Sequence, residues 1–147
     1  MQEFQGWIRF PDTVAIPSTN QMYLPTSNGR GKSWLRKNPE VADYQRQVHC
    51  LVAMTPLVQI KKISSLVEAL HLDLTFYLKT HFTNRDLDNL LKSTLDAMVK
   101  IIGVDDSKIM DLKCRKLKSK ESFESILIKI QVLNHYEVQR LETAEAL

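Results

Sequence analysis

Four aspartates and a lysine bracket one apolar stretch of this chain. Asp86, Asp88 and Lys92 open it, in Asn84-Arg85-Asp86-Leu87-Asp88-Asn89-Leu90-Leu91-Lys92, and Asp105 with Asp106 follows its end, after Gly103 and Val104. Carboxylates are hard oxygen donors, the type magnesium takes while water and phosphate oxygens complete its octahedron. Two of them brought to about 4 Å repel by roughly 4 kcal/mol at an effective dielectric of about 20, a cost that a divalent cation removes. Such a cation acidifies a bound water and neutralises a phosphate under attack, and a neighbouring lysine steadies the developing charge or the leaving oxygen. Lys92 stands four residues after Asp88, on the same helical face, with Asp96 one turn further along. A plainer account competes: Asp86 caps a helix, Asp88 complements its dipole, and Asp105 with Asp106 fills a turn.

The elements that must position these groups follow from periodicity. Leu87, Leu90, Leu91, Leu95, Met98 and Ile102 form the apolar stripe of a helix that starts around Asp86 to Asp88 and ends at Gly103. An earlier helix is predicted from Asn38 and Pro39, a cap and first-turn pair, to about Met54, before Thr55 and Pro56 end it. Period-two alternation predicts strands near Glu3 to Phe10, within Leu66 to Leu78, over Met110 to Arg115, and over Ile126 to Val132. The last two read as a final pair joined by a turn at Ser119 to Ser122. Residues 13–38, rich in Pro, Ser, Asn and Gly, read as a long mobile surface loop. The tail after His135 reads as a short helix. These elements make an α+β domain over residues 1–135, a small sheet with two main helices packed on it, followed by a tail at 136–147.

Composition narrows the function class. A chain of 147 residues supports one apolar core, and 44% hydrophobic with 25% charged residues is ordinary for a folded protein. Cys50 and Cys114 form neither a CxxC pair nor a disulfide framework, which fits a reducing compartment and excludes a cysteine zinc site. The N-terminus lacks the pattern of a secretory signal and no stretch is apolar enough to span a bilayer, so a cytoplasmic protein without a membrane partner is expected. The net charge of +3 is modest, but its distribution is not. Arg30, Lys32, Arg36 and Lys37 fall in a segment from Thr13 to Pro39 that has no acid, and six cations lie between Lys108 and Lys120 with Asp111 alone among them. Clusters of this kind suit phosphate contacts, although each alone also reads as an ordinary solvated surface.

The run Arg85 to Lys92, then a helix, then a pair of aspartates after a glycine, resembles the signature of the RusA family of Holliday-junction resolvases. Pro17-Ser18-Thr19-Asn20-Gln21-Met22-Tyr23 is similar to that family's Pro-Ser-Asn-rich N-terminal segment. The resemblance is close from Arg85 to about Asp111, and elsewhere covers only the order of elements. It implies a RusA-like fold and a homodimer that makes paired cuts across a four-way DNA junction in recombination and repair. It implies magnesium, with manganese as the alternative and no organic cofactor, held by Asp86, Asp88 and Asp106, with Lys92 as catalytic lysine. Asp105 and Asp111 also fit the pattern. The helix-to-aspartate spacing is one residue shorter than in the family, and fewer arginines precede Asp86, which leaves sequence preference unassigned. The small size suits a phage or prophage setting.

A helix from Leu87 to Ile102 is about 24 Å long at about 1.5 Å per residue. One magnesium, with ligands at about 2.1 Å, therefore cannot take both acid groups of one straight helix. Two copies related by a two-fold axis would bring Asp86 and Asp88 of one chain to Asp106 of the other. DNA contacts are expected from Asn20, Arg30, Lys32, Arg36, Lys37, Lys113 and Arg115, and from Arg85, which either orients a phosphate or pairs with Asp88. His49, His71, His81 and His135 are scattered. Trp7, Tyr23, Trp34 and Phe82 are candidates for stacking on bases, packing being the commoner role of aromatics. Two further classes stay open: a branched-DNA binding protein that does not cut, and a structural protein whose acids serve only as caps.

Overall fold

The structure is a computed structural model that describes residues 1–17, 38–80 and 83–144 in full and the backbone of 23–27, 33–37, 145 and 146. A four-stranded mixed sheet forms its centre. Strand β1 (Gln2–Arg9) is followed by a hairpin of β2 (Tyr23–Ser27) and β3 (Ser33–Lys37), and helix α1 (Pro39–Ala53) leads into a 3-10 segment (Pro56–Leu66). Then come β4 (Ala69–Leu78), α2 (Leu87–Ile102), a short 3-10 turn (Asp106–Lys108), β5 (Ile109–Lys118), β6 (Ser125–Leu133) and α3 (His135–Ala146). The strand order is β1-β6-β4-β5, antiparallel at the first two junctions and parallel between β4 and β5. β4, α2 and β5 thus form a crossover unit in which the helix returns the chain along the length of the sheet.

One face of the sheet is apolar because alternate residues point to it. Ile8, Leu70, Leu72, Leu74, Phe76, Leu78, Ile126, Ile128 and Ile130 are all buried there, beneath α1, α2 and the first 3-10 segment. The 3-10 segment lies so close to β1 that a Cβ on Gly6 would come within 2.7 Å of Leu57 Cδ1. α1 begins where Asn38 accepts from the Glu40 amide at 3.1 Å. It crosses α2 through a polar contact, with Tyr44 Oη 2.6 Å from Thr94 Oγ1 and Gln45 Nε2 donating to the Ser93 carbonyl at 3.0 Å. Burial raises the Tyr44 phenol well above its usual range, the hydrogen bond to Thr94 opposing and the charge of Glu124 adding to it. α2 ends at Gly103 in the left-handed region, φ 71°, a conformation that costs other residues about 1–2 kcal/mol.

Two expectations are corrected, and one unassigned stretch is filled. The segment 13–38 is not a single loop, because 23–27 pairs with 33–37 as an antiparallel hairpin. Residues 56–66, to which the periodicity assigned no element, form a 3-10 helix that covers the core with Leu57 and Ile60. β5 and β6 do not pair with each other, because β4 lies between them. β4 is buried along most of its length, whereas β5 carries charge on both faces and takes the edge, where charged side chains discourage pairing with another chain.

Candidate active site

Asp86 occupies the cap position of α2 without acting as its cap. Its backbone is extended, φ −73° and ψ 125°, as a cap requires, yet its carboxylate makes no bond to the first helical amides. Asn38 and Thr55, at the corresponding positions of α1 and the 3-10 segment, both do. Asp86, Asp88 and Lys92 are all exposed, and none makes a side-chain hydrogen bond or ion pair among the described residues. Asp88 sits in the first turn, where the helix dipole favours a negative charge. Its field reaches β5: burial pushes the Cys114 thiol up to about 11, with the charges of Asp73 and Asp88 adding and Arg115 opposing.

What holds these acids in place is a buried hub directly before them. Arg85, 6% exposed, donates to the Thr80 carbonyl from Nε at 3.1 Å and Nη2 at 2.7 Å, and from Nη1 to the Ile16 carbonyl at 3.0 Å. Both its terminal nitrogens also donate to Glu124, Nη1 to Oε1 at 2.7 Å and Nη2 to Oε2. The carboxylate of Glu124, wholly buried, accepts further from the amides of Ile16 and Lys79, each at 2.7 Å. Burial pushes Glu124 up, but the bonds from Arg85, Lys79 and Ile16 outweigh it and hold the carboxyl below its usual range. One ion pair therefore ties together the end of β4, the start of β6, the segment before residue 18, and the peptide leading into Asp86. Lys116 of β5 adds a donor to the Arg85 carbonyl at 2.6 Å.

Asp105 and Asp106 lie beyond the opposite end of α2, where β5 starts alongside Leu70. Both are exposed, and Asp105 likewise makes no cap bond. Their carboxyls shift in opposite directions: the hydrogen bond and charge of Asp105 raise the Asp106 carboxyl, Asp96 adding to the effect, while the same bond and those to Ser107 lower Asp105. The two acid groups are thus separated by the 16 residues of α2, about 24 Å along its axis. Among the described residues no three His, Cys, Asp or Glu side chains of the chain come close enough to hold one metal ion.

The remaining candidates are dispersed. Arg85 is corrected: it faces inward, paired with Glu124 and not with Asp88, and its terminal nitrogens are occupied by protein oxygens. Lys113 and Arg115 point from β5 to the sheet face that α1 and α2 leave uncovered, and Arg115 bonds Thr75 at 2.7 Å and pairs with Asp73 at 2.9 Å. Asp111 lies on that same face, in a groove of about 370 Å³ also lined by Glu3, His71, Asp73, Lys113 and Lys129. His135 approaches Glu68 at 3.7 Å, and His49 is exposed on α1. Asn20, Arg30, Lys32, His81 and Phe82 lie outside the described residues, as do the side chains of Tyr23, Trp34, Arg36 and Lys37. Glu124 was not singled out from sequence, and Lys116 only as one cation of the basic run: their partners are 39 and 31 positions away, beyond any local pattern.

The α+β domain exposes, along a crossover helix, a lysine and hard oxygen donors of the kind divalent cations take. The particular family follows from comparison. The chain belongs to the RusA endodeoxyribonuclease family, whose model matches residues 14–131, from before the hairpin to within β6. No curated protein matches it.

Proposed function

We propose that this chain resolves four-way DNA junctions by paired, magnesium-dependent cuts, as a homodimer whose two sites are each built from both copies. The observation that carries this reading is Asp86, a helix-cap aspartate whose carboxylate makes no cap bond and stands exposed beside Asp88 and Lys92. The donor set fits magnesium in kind, being carboxylate oxygens without His or Cys, but the described residues of one chain gather too few of them. Asp86 and Asp88, with Asp106 and Asp105 of the partner subunit, would hold the ion. When bound, it supplies an acidified water and neutralises the scissile phosphate. Lys92, one turn from Asp88, meets the charge that develops on the leaving oxygen. The Arg85–Glu124 hub fixes the direction in which Asp86 and Asp88 project.

An apolar strip supports a second copy pairing here. Met110 and Leu112, on the helix side of β5, are 43% and 40% exposed, and Leu87, Leu91 and Leu95 of α2 are only half-buried. This apolar strip runs beside the acids, where a two-fold pairing would need it. Among the described residues no helix is long and apolar enough to cross a membrane.

The test is subunit complementation. Asp86→Asn and Asp106→Asn proteins are each expected to be inactive on a synthetic four-way junction with magnesium. Mixed and refolded together, they form heterodimers with one intact and one doubly altered site, leaving about a quarter of all sites intact in a random mixture. Single-strand nicks without paired cuts are the expected product. A mixture as inactive as its parents would show that each site lies within one chain.

A further inference from the structure

The sheet has a second face, and the site described above does not use it. Apart from its far end, where α3 packs beside Met1 and Leu133, no described helix lies on it. The strand register arranges this face in rows. At the end where β4 stops and α2 begins, Arg9, Ser125, Tyr77 and Leu117 lie side by side, with Trp7, Leu127, Thr75 and Arg115 in the next row. The third row has Lys129 and Lys113 on either side of Asp73, and acids gather only in the fourth, with Glu3 and Asp111 at its edges.

The face is therefore polarised. In the two rows nearest Asp86, two aromatic rings and two arginines occur with no acid. Trp7 and Tyr77 meet over the small side chain of Ser125, their centroids 5.4 Å apart and their planes at 31°. The Arg9 guanidinium lies 5.7 Å from the Trp7 centroid. Trp7 nevertheless remains 40% exposed, so the pairing leaves ring surface open to solvent. Arg115 is matched by Asp73, while Arg9, Lys113 and Lys129 have no carboxylate partner among the described residues. The exposed ring of Trp7 and the half-buried ring of Tyr77, on an open sheet and flanked by cations, form a platform for unpaired bases whose phosphates the cations meet.

We propose that this end of the open sheet face binds single-stranded DNA, stacking bases on Trp7 and Tyr77 with Arg9, Lys113 and Lys129 along the backbone. The choice of DNA rests on the nuclease reading, because strands that separate near a branch would pass from this platform to Asp86 around the same end of the sheet. The charge of the patch is complementary to a polyanion, and the acids of the fourth row confine it.

The probe is oligothymidylate of about ten nucleotides, within the length one such surface covers. With EDTA present and Trp34→Phe in the background, Trp7 is the only tryptophan, and its emission is expected to be quenched saturably; this arm needs no change at either ring. By anisotropy of the labelled probe, Trp7→Leu and Tyr77→Ala are each expected to weaken binding about 5- to 150-fold. Arg9→Ala is expected to lower the salt slope by about 1, and Gln131→Ala, in the fourth row, to change nothing. The proposal is overturned if oligothymidylate leaves Trp7 emission unchanged, if a duplex of equal length competes equally, or if Trp7→Leu instead dissociates a dimer in sedimentation, which would make the face a contact between copies. Asp86→Asn must still bind the probe. Quenching without junction cleavage by the unaltered protein would sink the nuclease reading alone, and cleavage without quenching would sink only this one.

Discussion

Replacing Glu124 by glutamine tests whether the hub is what holds the acids. The change keeps the shape of the side chain but removes its charge, and places an amide group where an oxygen now accepts two N–H bonds. Arg85 stays buried, retaining the carbonyls of Thr80 and Ile16 and losing its only carboxylate partner among the described residues. Removing one member of a buried ion pair costs about 3–5 kcal/mol. Against the 5–15 kcal/mol roughly typical of whole domains, that is a large fraction, and for a chain of this size it lowers Tm by roughly 6–20 °C. Urea denaturation followed by circular dichroism measures it. Removing both charges, as in Arg85→Met with Glu124→Leu, is often harmless for a simple buried pair. Here it is expected to remain destabilising, because the amides of Ile16 and Lys79 and the carbonyls of Thr80 and Ile16 would all lose partners, at about 1–3 kcal/mol for each group left unsatisfied. The pH dependence has a definite sign. Since the folded state holds the Glu124 carboxyl below its usual value, its stabilisation is complete above the unfolded glutamate value of about 4.3 and is lost as pH falls through the lower folded one. Glu124→Gln should flatten that acid limb. A glutamine variant within about 1 kcal/mol of the unaltered protein would refute this account of the hub, because such a loss is ordinary for any substitution.

Other consequences are more local. Gly103→Ala is expected to lose about 1–2 kcal/mol in urea denaturation, since its φ of 71° is unfavourable for alanine and the new Cβ would sit 3.3 Å from Lys61 Cγ. Tyr44→Phe removes one bond between α1 and α2 while Thr94 keeps its 2.8 Å bond to the Leu90 carbonyl, so a loss of about 0.5–1.5 kcal/mol is expected by the same measurement. In carboxyl-carbon NMR titration without divalent cations, Asp106 is expected to titrate above ordinary aspartate, and Asp105→Asn to bring it back down. An Asp106 that Asp105→Asn leaves unmoved would show that Asp105 is not the cause of its rise.

How far these features could be read from sequence depends on the range of the interaction. α2 was legible because its stripe repeats locally, and its bounds fall within a residue of those expected. Leu90, Met98 and Ile102 are buried as the periodicity requires, but so are Ser93, Thr94 and Ala97, which a hydrophobic pattern passes over. Their small side chains let α1 approach, which is a property of the pair of helices. The acids were legible as a set of types and spacings, whereas the bonds of Arg85 were not, because a neighbouring carboxylate at Asp88 competes on paper with one 39 residues away. Strand identity was similarly local and strand order was not. β5 and β6 are consecutive and alternate well, yet the more apolar β4 takes the central place between them. The hairpin of β2 and β3 was hidden by Pro25 and by turn-forming residues on both sides, a composition that an edge pair tolerates.

The parallel pairing of β4 and β5 bears directly on the proposed dimer. A tight antiparallel hairpin would return the chain to the sheet end it had just left, placing residues before and after the turn within reach of one another. A parallel partner requires the chain to travel back along the whole sheet first, and α2 is that return path. Acids set just before the helix and just after it must then stand at opposite ends, whatever their spacing in sequence. Lengthening or shortening the connection by a residue, as the departure from the family's spacing does, cannot bring them together. An inverted second copy can, and the two-fold operation that completes one site necessarily completes the other. Paired incision would thus follow from the topology of the crossover, with no need for a separate device to match the two cuts.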